Sequence, residues 1–133
     1  MLTNLEHVGV AVRDLEAATA LYTALLGQAP YKREQVASEA VDTVFFQVGG
    51  SKIELLAATS PDSAISVFLS KKPEGMHHVA FEVTDIRAEM ARLQQAGFVL
   101  LNEEPKPGAD NKLVCFVHPK SANGVLVELC QSI

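Results

Sequence analysis

An internal repeat constrains the fold of this chain more than any other feature of the sequence. The segment LEHVGVAVRDL, residues 5–15, aligns with MHHVAFEVTDI, residues 76–86. In this alignment His7 falls on His78, and Asp14 falls on Asp85. A repeat of this kind indicates two copies of one supersecondary unit, which bury their apolar faces together.

Each copy continues with the same predicted elements. Asp14 and Asp85 follow an apolar strand pattern and stand where a helix N-cap belongs. The helical patterns behind them cover 15–26 and 86–96, and each stops at a glycine, Gly27 or Gly97, a residue typical of helix C-termini. Both copies therefore begin as a strand followed by a helix.

Three short strands are predicted after each helix. Their ranges are 31–37, 41–48 and 52–58 in the first copy, and 99–102, 112–117 and 125–130 in the second. We expect Pro105, Pro107 and Gly108 to break the chain, and a linker helix capped near Asp62 to end at Pro73. The pattern predicts an α+β domain over 1–133, with βαβββ modules at about 1–58 and 76–133 and a linker at about 59–75.

Composition excludes several classes of function. The 133 residues carry a formal net charge of −5, which argues against a nucleic-acid surface. The longest apolar run falls short of a bilayer span, so we expect no membrane partner. Without a recognisable targeting segment we expect either a cytoplasmic protein or a mature form that is already processed. Cys115 and Cys130 are far apart and are expected to be reduced structural residues.

Two histidines and two glutamates form the candidate metal site. His7 and His78 correspond in the repeat, and Glu54 and Glu128 lie in the last strand of each module between apolar neighbours. A carboxylate inside an apolar strand is costly to bury unless it is paired, protonated or bound to a metal. Two imidazoles and two carboxylates favour one catalytic divalent ion with open positions, such as cobalt, nickel, manganese, iron, zinc or magnesium.

Three nearby residues are not expected to bind the ion. His77 points away from His78, because neighbouring side chains on a strand face opposite sides, and its repeat equivalent is Glu6. Glu82 lies about 13 Å along the strand from His78 and is expected to be solvated. His118 stands at a proline-marked turn and is expected to shape a loop.

Together these features resemble the vicinal oxygen chelate superfamily and, within it, the methylmalonyl-CoA epimerase family. The resemblance covers nearly the whole chain and is carried by EHVGVAV, SKIELL, DSAISVFL, GMHHVAFEV, NEEPKPGA and, above all, FVHPKSANGVLVELCQ. It implies that the two modules form a cupped, partly open, eight-stranded sheet around the metal. It also implies a homodimer, and cobalt as the first choice of ion.

The resemblance implies epimerisation at C2 of methylmalonyl-CoA through an enolate. Carried over by position, the metal ligands are His7, Glu54, His78 and Glu128. Glu128 is the first candidate base and Glu54 the second. Some members place a catalytic glutamate where this chain has Thr43, so a two-base assignment built on that residue does not carry over. The CoA phosphates need positive groups at the pocket mouth. The candidates are Lys120 together with Ser121, and then Lys106, Lys112 or Lys72.

Two alternatives stay open at this point. A glyoxalase I, which isomerises a glutathione hemithioacetal, has a similar set of histidine and glutamate ligands. It usually has an Asp-Pro-Asp-Gly turn where this chain has residues 119–124, PKSANG. A metal-free binding module of the same fold typically loses the ligand set. Assays with both substrates and metal analysis separate these alternatives.

Overall fold

The computed structural model describes all residues from 1 to 133. In chain order the strands are β1 (Leu2–Ala11), β2 (Lys32–Val36), β3 (Val41–Val48), β4 (Ser51–Ala58), β5 (Gly75–Val83), β6 (Lys106–Gly108), β7 (Lys112–Val117) and β8 (Val127–Ser132). The helices are α1 (Leu15–Leu26), α2 (Ala64–Lys71) and α3 (Ile86–Gln95). The order β1-α1-β2-β3-β4, α2, β5-α3-β6-β7-β8 confirms the predicted α+β class and the two βαβββ modules.

The helix boundaries follow from the caps that the repeat predicted. The Asp14 carboxylate accepts the N–H of Ala17, and the Asp85 carboxylate accepts the N–H of Ala88, each at 3.1 Å. Each bond satisfies one of the N–H groups that a helix N-terminus leaves without an intrahelical partner. Helix α1 ends at Gly27, whose φ of 70° is left-handed and therefore favours glycine.

The chain divides into two compact units, which differ from the modules because β1 and β5 each run through both. We call Val8–His77 the internal unit, and Met1–His7 together with His78–Ile133 the terminal unit. In the internal unit the strand order is β2-β3-β4-β1. Its main core lies between these strands and α1, and includes Val10, Val44, Phe46 and Leu55. Helix α2 packs through Ile65 and Leu69 onto Ala11 and Leu56, which belong to a separate cluster.

The terminal unit has the strand order β1-β5-β8-β7-β6. Strands β5 and β8 are parallel, whereas β7 is antiparallel to both β8 and β6. Helix α3 covers one face of these strands, where Ile86 and Met90 pack with Cys115 and Leu129. Because successive strand residues alternate in direction, the residues next to Cys115 and Leu129 face away from α3. That second face carries the candidate site.

One predicted strand of the second module does not form. Residues 99–102 contribute only an isolated bridge between Leu100 and Val117. The N–H of Val99 donates to the Ser121 hydroxyl at 3.0 Å rather than to a neighbouring strand. On the other side of the bridge, the N–H of Phe116 donates to the Asn102 side-chain oxygen at 2.9 Å, so the ladder stops after a single bridge.

A short strand forms instead at the prolines that were predicted to break the chain. Strand β6 pairs with β7 and places Pro107 opposite Leu113. Strand β6 lies at the edge of the strand order, where a proline is tolerated because no further strand needs its N–H. A Cβ on Gly108 would lie 2.9 Å from the Val114 side chain, so this position needs the smallest residue.

Several element boundaries shift by one or two residues from their predicted positions. The predicted cap Asp62 accepts a hydrogen bond from the Ser60 hydroxyl, and Ser63 caps α2 instead by accepting the N–H of Ile65 at 3.1 Å. Helix α3 ends one residue before the predicted Ala96, and β8 begins two residues later than predicted. None of the three helices has the length and apolar character that a bilayer span requires.

Candidate metal centre

The two repeat-related histidines meet in the terminal unit. His7 lies on β1 and His78 on β5, which are neighbours in the strand order. Their Nε2 atoms are 2.9 Å apart, and the rings stand nearly perpendicular, with centroids 5.0 Å apart. Both side chains are buried, with 4% and 6% of their surface exposed. The predicted pair therefore converges through one ring nitrogen of each residue.

Glu128 brings a carboxylate oxygen to the same point. It lies on β8 and pairs with Ala80 of β5. Ala80 is two residues from His78, so the side chains of Glu128 and His78 lie on the same face of the sheet. Oε1 of Glu128 is 3.4 Å from Nε2 of His78 and 3.8 Å from Nε2 of His7. Only 7% of Glu128 is exposed, so the carboxylate replaces its lost water contacts with contacts to the two rings.

The spacing of these three atoms fits a divalent metal ion. Two ligand atoms that each lie about 2.1 Å from an ion are about 3.0 Å apart at a right angle and about 3.4 Å apart at the tetrahedral angle. The three separations within the cluster are 2.9, 3.4 and 3.8 Å. His7, His78 and Glu128 can therefore bind one ion and leave further coordination positions open.

Glu6 is a site residue that sequence reasoning missed. Its Oε1 lies 2.8 Å from Nδ1 of His7, and both side chains are buried. Strand alternation predicts that Glu6 and His7 start from opposite faces of β1. A glutamate side chain is nevertheless long enough to reach Nδ1 of the adjacent histidine. The signal available in the sequence was an acidic residue directly before a candidate ligand, within the otherwise apolar stretch from Leu5 to Ala11.

The surroundings of the three ligands are mostly apolar. Ala80, Val114 and Cys130 form a small cluster on the face that carries His78 and Glu128, with Phe116 packed against it. The ring of Phe116 stands edge-on to that of His78, with centroids 5.9 Å apart. An apolar wall lowers the local dielectric constant, which strengthens electrostatic interactions at the ligand atoms.

The fourth predicted ligand, Glu54, lies in the internal unit. It is buried on β4 between Ile53 and Leu55 and pairs with Phe45 across the β3–β4 ladder. The expectation of a buried carboxylate in the middle of this strand is thus correct for Glu54, as it is for Glu128.

Thr43 lies on the same face of the internal unit as Glu54. It pairs with Leu56, and side chains paired across an antiparallel ladder point to the same side. Only 1% of Thr43 is exposed, and its Oγ1 has no hydrogen-bond partner. An unsatisfied buried hydroxyl costs about 1–3 kcal/mol, which an apolar residue of the same shape would avoid.

We therefore expect Thr43→Val to stabilise the protein by about 1 kcal/mol, because it replaces an unsatisfied hydroxyl with a methyl group of similar volume. Thermal unfolding should show a rise in Tm of about 3–5 °C. Thr19→Val is the matched control, since the Thr19 hydroxyl donates to the Leu15 carbonyl at 2.7 Å. Destabilisation by Thr43→Val would show that its hydroxyl has a partner after all.

The two histidines outside the cluster make other contacts. The His77 ring packs edge-on against Phe68 of α2, with centroids 5.0 Å apart. Burial and the nearby Lys72 ammonium lower the pKa of His77. His118 caps a short 3₁₀ turn, Pro119–Ser121, by accepting the Lys120 N–H at its Nδ1.

The candidate phosphate-binding residues lie in the terminal unit. Lys120 is exposed on the 3₁₀ turn, whereas the Ser121 hydroxyl accepts the N–H of Val99. Lys106 pairs with Val114, so its side chain starts from the face that carries Glu128. Strand β6 is two strands from β8, which places the Lys106 backbone about 10 Å from β8.

Comparison with known proteins agrees with this architecture. Residues 6–116 match the family described as the glyoxalase/bleomycin resistance protein/dioxygenase superfamily. The ethylmalonyl-CoA/methylmalonyl-CoA epimerase of Cereibacter sphaeroides is 45% identical over 133 residues, which cover 98% of this chain and 99% of that protein. The human mitochondrial methylmalonyl-CoA epimerase is 43% identical over 132 residues, which cover 98% of this chain and 75% of that protein.

Solved structures show the same fold. A methylmalonyl-CoA epimerase in complex with methylmalonyl-CoA and NH4+ superposes with a TM-score of 0.95 at 34% identity, covering 99% of this chain and 96% of that one. A variant of the Streptomyces coelicolor methylmalonyl-CoA epimerase, bound to 2-nitronate-propionyl-CoA, gives the same TM-score, identity and coverage. The chain therefore belongs to the glyoxalase/bleomycin resistance protein/dioxygenase superfamily.

Proposed function

We propose that this chain is a methylmalonyl-CoA epimerase, an isomerase that interconverts the (2R) and (2S) forms of its substrate. The convergence of His7, His78 and Glu128 on one buried point is the observation that carries the proposal. It supports a metal site with open positions, in which Glu128 is both a proposed ligand and the candidate base. The substrate is supported by the full-length similarity to proteins named for this reaction.

His7, His78 and Glu128 would hold the metal ion, and each has a distinct reason to do so. Nδ1 of His7 contacts a carboxylate, which leaves its Nε2 lone pair for an ion. His78 and Glu128 face the same point from β5 and β8. When bound, the ion would supply a Lewis acid for the thioester and carboxylate oxygens of the substrate, where negative charge develops.

We further propose that Glu54 is the fourth ligand. It corresponds to Glu128 in the repeat and is equally buried. Ala11 shares a face of β1 with His7 by strand alternation, and it packs against Leu56, which shares a face of β4 with Glu54.

The proton chemistry needs two groups on opposite faces of C2. In the proposed reaction the C2–H bond breaks, its proton passes to the Glu128 carboxylate, and the electron pair delocalises into the thioester carbonyl. Return of a proton to the opposite face of C2 gives the other epimer. Glu54, which belongs to the other copy of the repeat, is the proposed second acid or base. The pseudo-symmetric origin of the two glutamates supports approach from two sides.

The CoA part of the substrate requires cations away from the metal. Lys106 starts from the same face as Glu128 but two strands away, which suits a group that meets phosphates while the thioester reaches the metal. Lys120 is exposed on the turn that precedes β8 and is the second proposed contact. Ser121 is the third proposed contact, through its backbone or through its hydroxyl, which accepts the N–H of Val99.

Cobalt is the proposed ion, and a cytoplasmic homodimer is the proposed form of the protein. A mixed nitrogen and oxygen donor set without thiolate favours a borderline ion such as cobalt.

Leu21 and Leu25 lie one turn apart on α1 and are 64% and 71% exposed, which supports a surface for self-association. Sedimentation of the purified chain measures whether it forms a dimer. Cys115 and Cys130 are buried and form no disulfide, and burial raises the pKa of the Cys115 thiol. Two reduced, buried cysteines suit a reducing compartment.

An epimerase assay on metal-stripped and reconstituted protein tests the proposed function. Single-enantiomer methylmalonyl-CoA is incubated with each sample, and the second epimer is measured by chiral analysis. We expect activity to disappear with the metal and to return with cobalt. A glutathione hemithioacetal is assayed in parallel. Turnover of the hemithioacetal alone would indicate a glyoxalase I, and absence of a stoichiometric ion in protein purified without a chelating tag would indicate a binding module.

A further inference from the structure

Glu6 is a buried acid whose position is explained by neither the fold nor the proposed reaction. It lies on β1 directly before His7 and is 5% exposed. Burying a carboxylate is expensive unless charged or hydrogen-bonding partners compensate for the lost water. Its Oε1 lies 2.8 Å from Nδ1 of His7 within the terminal unit. The contact with this ring is therefore the feature that needs a function.

The contact separates the roles of the two nitrogens of His7. A carboxylate accepts hydrogen bonds, so the neutral ring carries its proton on Nδ1, facing Glu6. Nε2 then carries a lone pair and points at His78 and Glu128, 2.9 and 3.8 Å away. Because the two nitrogens lie on different sides of the ring, an oxygen held at Nδ1 does not reach an ion bound at Nε2. Glu6 acts on the ring rather than on the ion.

The two halves of the repeat differ at this position. His77 occupies the place in the second copy that Glu6 occupies in the first, and the His77 ring packs against Phe68. The repeat supplies a preceding carboxylate to His7 and not to His78. An acidic neighbour therefore contacts one histidine of the pair, and the equivalent place before the other histidine holds an imidazole.

We propose that Glu6 is a positioning residue that holds His7 as its Nδ1–H tautomer with Nε2 directed at the metal site, and that it raises the affinity of the site for a divalent ion. The inference rests on the metal site of the proposed function. Outer-shell partners of ligating histidines typically contribute about 10–100-fold in metal affinity. A glutamate that served packing alone would not change that affinity.

Titration of metal-free protein with Co²⁺ tests the proposal. Glu6→Leu replaces the acceptor with an apolar side chain of similar size. We expect the Kd for Co²⁺ to rise about 10–100-fold in this variant. Glu6→Gln keeps an acceptor oxygen without the charge and should lose less. Glu89→Gln is the matched control, since Glu89 is another buried glutamate of the terminal unit but contacts Arg92. We expect its Kd for Co²⁺ to equal that of the unaltered protein.

Nitrogen NMR of the metal-free protein gives an independent readout. At a pH above the usual pKa of histidine, we expect the His7 signals of the unaltered protein to report a proton on Nδ1. In Glu6→Leu they should report a mixture of tautomers. An unchanged tautomer and an unchanged Kd in Glu6→Leu would overturn the proposal. Failure of the unaltered protein to bind Co²⁺ would refute the metal site and the proposed affinity effect, while the NMR result would still decide whether Glu6 orients His7.

Discussion

Glu128→Gln is expected to abolish exchange of the C2 hydrogen of methylmalonyl-CoA with solvent deuterium, and with it epimerisation. An amide has nearly the shape of the carboxylate but cannot accept the C2 proton. General-base catalysis typically contributes about 10²–10⁴-fold, so kcat should fall by at least that range. Exchange is followed in deuterated buffer by mass spectrometry, at metal concentrations that saturate the variant.

Saturating metal is needed because Glu128 has two proposed roles. Its Oε1 lies 3.4 Å from Nε2 of His78, so the variant should also bind the ion more weakly, and excess metal separates that effect from loss of the base. Glu82→Gln is the control, because Glu82 belongs to the same face of β5 but contacts Thr3. Normal exchange in metal-saturated Glu128→Gln would exclude Glu128 as the base.

His78→Ala is expected to cost the protein its metal ion, whereas His77→Ala is not. His78 supplies one of the three converging ligand atoms, so its removal should cost more affinity than the 10–100-fold typical of outer-shell partners. His77 contacts Phe68 instead, and its removal should lower stability by about 0.5–1.5 kcal/mol, the usual contribution of an aromatic pair. Metal content by elemental analysis and Tm by calorimetry measure the two effects separately.

The pair of variants is informative because the residues are adjacent. Any general disturbance of β5 would affect both variants, whereas loss of a ligand affects only His78→Ala. Retention of a stoichiometric ion by His78→Ala would refute the proposed ligand set. Equal loss of the ion in both variants would show that the strand, and not one imidazole, governs metal binding.

Local sequence signals predicted most of the fold. Asp14 and Asp85 were recognisable as caps because the atoms they bind lie three residues along the chain. Helix α1 and strands β3 and β7 have the predicted bounds, since apolar periodicity and turn residues are local features. Predictions failed where a partner distant in sequence decided the outcome. The N–H of Val99 is taken by Ser121, and β6 forms at the prolines because it is an edge strand paired with β7.

The sequence by itself determined the two-module architecture and the residue types of the proposed metal site. The repeat paired His7 with His78 and Glu54 with Glu128, and the cost of burying a carboxylate marked the two glutamates as candidate site residues. Only the tertiary structure decided that Nε2 of both histidines and Oε1 of Glu128 converge. It also decided that the Glu6 carboxylate contacts Nδ1 of His7. The physical reason is that strand alternation specifies the face of a side chain, whereas strand order and side-chain conformation specify which atoms meet.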